Sequence, residues 1–280
     1  MLRTAPLRVL DDRDVDQVLA LLSRDPVANV FVMSRVQSCG LDPWRLGAEM
    51  WGHLEGGRLG ALCYAGANLV PVGAGPEAIA VFAEKARRQG RRCSSMFGRA
   101  EMVAPLWRAL LPMWGPARDV RPDQPLMATA RPPLIAPDPG VRRVAPDELD
   151  TLLPACVAMF TEEVGVSPLQ GDGGRLYRAR VAELVACGRA LARIEDGRVV
   201  FKAEVGAVTS AACQIQGVWV APDLRGRGLA GPGVAAVVAT ALASIAPIVS
   251  LYVNDFNEPA RRAYTRVGFA EVGAFMSVLF

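Results

Sequence analysis

The chain has few of the side chains that most often carry acid–base and metal chemistry. Among 280 residues there is one histidine, His53, which removes most zinc sites and argues against a histidine-dependent catalytic triad. Lysine is nearly as scarce. Of 31 basic residues only Lys85 and Lys202 are lysines, a bias of genome composition rather than of a binding surface. Cys39, Cys63, Cys93, Cys156, Cys187 and Cys213 are scattered without a Cys-x-x-Cys pair, and no secretory leader opens the chain, so a reduced, cytoplasmic compartment is expected. Excess charge of one sign is also lacking: 17 basic residues face 13 acidic ones up to position 137, and 14 face 15 beyond it. Neither half is a nucleic-acid binder. The longest apolar run, 229–249, contains Gly231, Pro232, Gly233 and Pro247 and reads as a soluble core helix, so no membrane span is expected. What remains is 51% apolar and 21% charged, a globular composition with room for two domains.

The chain is organised around Val218-Trp219-Val220-Ala221-Pro222-Asp223-Leu224-Arg225-Gly226-Arg227-Gly228-Leu229-Ala230, where an apolar strand breaks into a glycine-rich turn and an Ala/Val-rich helix follows. Gly226 and Gly228 let the backbone turn sharply, so that several N–H groups and the positive helix end face one anionic group. Arg225 and Arg227 can reach its oxygens from the side. The three glycines and following acid of a dinucleotide fingerprint are missing, as is the Gly-Lys-Ser/Thr of a Walker loop. Pro232 lacks an N–H and predicts a helix that starts late or bends in its first turn.

Taken in order, the first half predicts a strand at 7–10, helices at 11–23 and 27–37, strands at 47–54, 58–64 and 68–72, a helix at 76–90, a strand at 93–97, a helix at 100–111 and a strand at 126–130. Four prolines between Arg131 and Gly140 mark a linker. The second half repeats the series: a strand at 141–144, a helix capped by Asp147, a helix at 174–186, strands at 190–195, 199–208 and 212–220, a helix at 229–245, a strand at 248–254, a helix at 258–267 and a strand at 272–279. The expected architecture is mixed α/β (α+β): two tandem domains, 1–130 and 140–280, joined by 131–139, each a mostly antiparallel twisted sheet flanked by helices.

Arg225, Gly228 and Ala230, following the run Val218-x-Val220-x-Pro222, resemble the acyl-coenzyme A motif of the GNAT acetyltransferase superfamily. Asn257-Glu258-Pro259-Ala260-Arg261-Arg262-Ala263-Tyr264-Thr265-Arg266-Val267-Gly268-Phe269 resembles its second signature, in the family's order. The succession of elements is also that of the GNAT fold, once in each half. The first half has Val72-Gly73-Ala74-Gly75-Pro76 at the matching turn, with no arginine, and Ala100 and Trp107 where the second has Asn257 and Tyr264. It is similar to the degenerate copy of tandem members such as mycothiol synthase.

The resemblance implies an N-acetyltransferase, active in the carboxyl-terminal half, that passes an acetyl group from acetyl-CoA directly to a primary amine of a small molecule or protein. It implies that Val218, Trp219, Val220, Arg225, Gly226, Arg227, Gly228, Leu229, Ala230, Asn257 and Tyr264 hold the cosubstrate, with main-chain groups of Val218 and Val220 on the pantetheine arm. Tyr264 matches the family's general acid. Asn257 is also a natural helix N-cap, with Pro259 just inside the helix. For the general base, Glu204 is the acidic residue of the central strands, Glu162 and Glu163 can line the acceptor mouth, and a water relay near Gln216 is a third route. No acyl-enzyme is expected, because Cys213 has no histidine partner. No metal is implied, and the protein is expected to be a monomer or homodimer. The alternative reading is a non-catalytic acyl-CoA-binding sensor, which has no need of a phenol at the thiol.

Overall fold

The computed structural model describes residues 7–280. Its contacts divide the chain into two compact units that are not continuous in sequence. The first runs to Leu126 and takes in Tyr252–Phe256 and Glu271–Phe280, while the second holds Met127–Leu251 and Asn257–Ala270.

The first unit contains β1 (Leu7–Leu10), α1 (Val15–Leu22), α2 (Val30–Cys39), α3 (Pro43–Leu46), β2 (Ala48–Glu55), β3 (Arg58–Gly66), β4 (Asn68–Val72), α4 (Pro76–Gln89), β5 (Ser95–Arg99), α5 (Ala100–Trp114) and most of β6 (Asp119–Thr129). Strands β1 to β4 pair antiparallel in sequence order, and β4 pairs parallel to β5. The next partner of β5 comes from the far end of the chain. This is β12 (Ala270–Leu279), antiparallel, from Phe275 opposite Arg99 to Leu279 opposite Ser95. Helices cover both faces: Leu22, Val32 and Val36 pack on Leu62 and Val70, and Phe82 and Leu106 pack with Met96, Met276 and Val278. Burying a side chain of that size stabilises by about 1.5–3 kcal/mol.

Two elements differ from the sequence expectation. Helix α3 has only four residues, fixed by Pro43 in its first turn and by the Asp42 carboxylate accepting from Trp44 N and Arg45 N, so it is too short to leave a periodic signal. Strand β6 begins at Asp119 rather than near 126, its first half hidden by Pro122 and Pro125, which read as strand breakers.

The second unit contains β7 (Arg142–Arg143), α6 (Leu149–Val164), α7 (Arg175–Ala186), β8 (Ala190–Glu195), β9 (Arg198–Val208), β10 (Cys213–Val220), α8 (Ala230–Ser244), the start of β11 (Val249–Tyr252) and α9 (Glu258–Val267). Strands β7 to β10 pair antiparallel in order, and β10 pairs parallel to β11. This parallel pair brackets α8 as β4 and β5 bracket α4, which is the repeat expected from the sequence. Leu152, Cys156, Val181 and Leu184 pack on one sheet face around Ala190 and Val199, while α8 buries Val234, Val237 and Val238. Among the described residues no helix is long and apolar enough to cross a membrane, and no group of three or more His, Cys, Asp or Glu side chains could hold a metal ion.

The expected cap at Asp147 is replaced by a neighbour. A 3-10 turn, Pro146–Glu148, precedes α6, and the Glu148 carboxylate reaches back to Ala145 N at 2.9 Å while Arg142 grips it at 2.6 and 2.7 Å. The Arg142 bonds hold the Glu148 carboxyl down at about 2. A carboxylate with a depressed folded pKa contributes stability that is present above its ordinary range and lost as pH falls toward 2. Glu148→Gln is therefore expected to cost the second unit about 1 kcal/mol at pH 6, a value discounted for exposure, and almost nothing near pH 2. Urea titrations of wild type and variant across that range check it; equal differences at both ends would contradict it.

Candidate active site

The site is built where β10 leaves its neighbours. Its parallel ladder with β11 holds at Cys213 and Gln214, opposite Val249 and Ser250, while β10 itself runs on to Val220. On the other side Gln216 pairs with Glu204 but Trp219 pairs with Lys202, so Gly217 and Val218 together stand opposite one residue of β9. This is a bulge, and it turns main-chain groups out of the ladder. Glycine is needed there. Gly217 has φ +57°, and a Cβ would lie 2.9 Å from Met159 Cε and 3.0 Å from Lys202 Nζ.

After β10 the backbone makes a 3-10 turn, Pro222–Leu224, pinned by an ion pair between Asp223 and Arg198 of β9. Gly226 and Gly228 follow at φ +77° and +80°, and a Cβ on either would meet nothing within 4 Å. The requirement for glycine here is conformational, and the space beside the turn is open. The late start that Pro232 could impose is not seen, because α8 starts at Ala230. Pro232 is its third residue, where an N–H has no intrahelical partner to lose, and the first helical bond runs from Gly233 N to Leu229 O at 3.1 Å. No side chain caps this helix at Leu229, which leaves its positive end to the open side.

Turn, bulge and helix end form one wall of a cleft of about 1320 Å3. Val218, Trp219, Val220, Arg225, Gly226, Gly228, Leu229 and Ala230 line it, Met159, Glu162 and Glu163 of α6 close one side, and α9 from Asn257 to Arg266 closes the other. Arg227 is not among the lining residues. Arg225 is, but its guanidinium is engaged: Nε donates to Val220 O at 3.0 Å and Nη2 to Glu162 Oε2 at 2.7 Å. The other oxygen of Glu162 accepts from Trp219 Nε1 at 3.3 Å. Glu162 therefore ties the turn to α6, a role its sequence position does not announce.

Glu204 lies away from the lining. Its carboxylate pairs with the ammonium of Lys202, whose side chain is completely buried, and Cys156 Sγ stands 3.5 Å from Lys202 Nζ and 3.6 Å from Glu204 Oε1. Burying an ammonium requires a counterion, and Glu204 is that counterion. Lys202 was the signal available in sequence: one of two lysines, flanked by Phe201 and Ala203 on an apolar strand.

On α9, Asn257 is the N-cap, its Oδ1 accepting from Ala260 N at 3.2 Å, and Arg262 pairs with Glu258 one turn earlier. Tyr264 is buried, edge-on to Phe269 at 6.0 Å, yet belongs to the cleft lining. Burial, reinforced by the Glu163 carboxylate, pushes its phenol above the ordinary tyrosine range. The side chain therefore stays protonated at any working pH.

Residues 170–269, which include the bulge, the turn and all of α9, match the family model described as acetyltransferase (GNAT) family. This segment is a GNAT domain. Residues 48–152 match a domain of unknown function, DUF4081. No curated protein matches the chain. Among solved structures it is similar to a GCN5-related N-acetyltransferase from Sphaerobacter thermophilus (18% identity, 97% of this chain and 94% of that one, TM-score 0.61) and to a tandem GNAT protein from the clavulanic acid biosynthesis pathway (17%, 97% of both, TM-score 0.56). A Drosophila protein is also similar (14%, 99% of both, TM-score 0.67). At such identities the likeness is one of fold, and the fold is that of tandem GNAT proteins.

A GNAT domain with this cleft is equipped for acyl transfer, and its side chains narrow the manner. Burial pushes the Cys213 thiol up to about 12 and the Cys156 thiol up to about 11, so neither supplies a thiolate near neutral pH.

Proposed function

We propose that the second unit is an N-acetyltransferase that moves acetyl from acetyl-CoA to a primary amine in a ternary complex. The observation that carries this reading is a convergence: an uncapped helix end behind two positive-φ glycines, a bulged strand and a buried tyrosine all line one cleft. Acetyl-CoA supplies an activated thioester carbonyl; the chain supplies binding, orientation and protons. The turn amides from Gly226 to Gly231, with the α8 end, receive the pyrophosphate, and Arg225 fixes the turn while its charge faces the same region. The bulged main chain at Val218 aligns the pantetheine arm and polarises the carbonyl.

Tyr264 then protonates the departing thiolate. Its raised pKa does not prevent this, since a thiolate formed in the same apolar surroundings is raised by the same burial. Glu204 is occupied by Lys202, so we assign the receipt of the amine's proton to Glu163, the carboxylate that lines the cleft and acts on Tyr264. The test is coenzyme A release by full-length protein with acetyl-CoA and a panel of small amines, amino sugars and lysine peptides. Saturable turnover with at least one acceptor supports the reading. Tight cofactor binding with no turnover across the panel replaces it with a non-catalytic acyl-CoA-binding sensor.

A further inference from the structure

The proline-rich run 131–139 lies in the second unit together with the cleft, and it touches the two helices that face each other across that cleft. At α9, Leu134 N donates to Val267 O at 2.9 Å, satisfying a carbonyl that the last turn leaves without a helical partner. Leu134 Cγ lies 3.1 Å from where a Cβ on Gly268 would stand, so the run approaches the end of α9 as closely as glycine allows. At α8, Asp138 N donates to Pro232 O in the first turn at 3.0 Å. Ile135 Cδ1 lies 3.2 Å from the Cβ position of Gly231, a residue of the cleft lining.

Asp138 anchors the run to the sheet. It is buried, and both carboxylate oxygens are engaged, Oδ2 by Arg193 Nη1 of β8 at 2.8 Å and Oδ1 by Gly140 N at 2.8 Å. Pro132, Pro133, Pro137 and Pro139 fix φ at their own positions and restrict the residues before them, which include Ala136 and Asp138. The run is therefore a stiff piece of chain, bonded to α8 at one place and to α9 at another, behind the lining residues rather than among them. Its contacts fall on the first turn of α8 and the last turn of α9, so any loosening of it changes the spacing of two cleft walls directly.

We propose that this run is a spacer that sets the distance between α8 and α9, and so the width of the cofactor cleft, with Leu134, Ile135 and Asp138 as positioning residues for acetyl-CoA. The inference rests on the reading of the cleft as the acetyl-CoA site. A ligand held between two helices binds best at one separation, so releasing the spacer costs affinity, and by reciprocity the bound ligand holds the spacer in place. Hydrogen exchange and calorimetry on the full chain test both directions. Within 132–139 only Leu134, Ile135, Ala136 and Asp138 carry an N–H, and Leu134 and Asp138 donate the two bonds to the helices. Peptides covering the run should exchange about fivefold more slowly at saturating acetyl-CoA. Asp138→Asn, which leaves Arg193 paired with Glu195, and Pro137→Gly, which frees the backbone, should each raise the acetyl-CoA Kd about fivefold well below the melting temperature, with kcat at saturation within about twofold. A run that only stabilises the fold would lower Tm in both variants while leaving Kd and the exchange response to acetyl-CoA unchanged, and that result overturns the proposal. So does a fall in kcat at unchanged Kd. Wild-type protein that binds no acetyl-CoA overturns the reading of the cleft and the spacer with it, whereas tight wild-type binding that neither variant weakens overturns the spacer alone.

Discussion

Gly228→Asp is expected to raise the acetyl-CoA dissociation constant on the order of 100-fold while the protein still melts cooperatively. Gly228 stands at φ +80° with open space where a side chain would go, so the fold can admit one. Aspartate is among the residues that tolerate this conformation best, at a cost of about 1–2 kcal/mol. The cofactor fares worse. A carboxylate would project into the space proposed for the pyrophosphate against the turn amides, removing two or three charge-assisted bonds worth about 1.5–3 kcal/mol each before water compensates for part of the loss. The matched control is Gly75→Asp in the first unit. Gly75 is the N-cap of α4, at φ −74° and ψ 179°, with nothing within 4 Å of a Cβ. Aspartate suits that position and should stabilise by a few tenths of a kcal/mol, with cofactor affinity unchanged within about twofold. Equal losses in the two variants, or none in Gly228→Asp, would place the cofactor elsewhere.

Tyr264→Phe should leave acetyl-CoA affinity within about twofold and lower kcat by about 100-fold or more, the range for loss of a positioned general acid. The separation of binding from turnover is what makes this informative. The ring packs edge-on to Phe269 within a buried helix face, and phenylalanine preserves that contact, so a folding defect is not expected. Removing the hydroxyl also removes whatever the Glu163 charge does through it. If kcat is unchanged while acceptor KM rises, the tyrosine positions the amine and the thiolate leaves unassisted.

The strand–turn–helix from Val218 to Ala230 was legible because residues at positive φ are nearly always glycine and leave that mark in sequence. The partners of its polar residues were not. Glu204 is a candidate base as the acidic residue of the central strands, but side chains two apart on a strand share a face, and Lys202 is two apart. That this shared face is buried against Cys156 depends on α6, 46 residues earlier, which no local pattern encodes. Arg225 was read as a phosphate ligand from its motif; its bond to Glu162 spans 63 residues of chain. The same limit applies to β12. Alternation identifies a strand near 272–279, yet nothing within it says that its partner is β5.

That pairing sets an order of manufacture. Strand β5 is translated by Arg99, but the strand that completes its ladder ends at Leu279, roughly 180 residues later, a delay of roughly ten to forty seconds at ordinary synthesis rates. Most of the second unit, Met127–Leu251, emerges in one piece during that interval. The half that is made first is therefore the half that finishes last, and a ribosome stalled beyond Ala270 would hold a nascent chain whose amino-terminal sheet still lacks a strand.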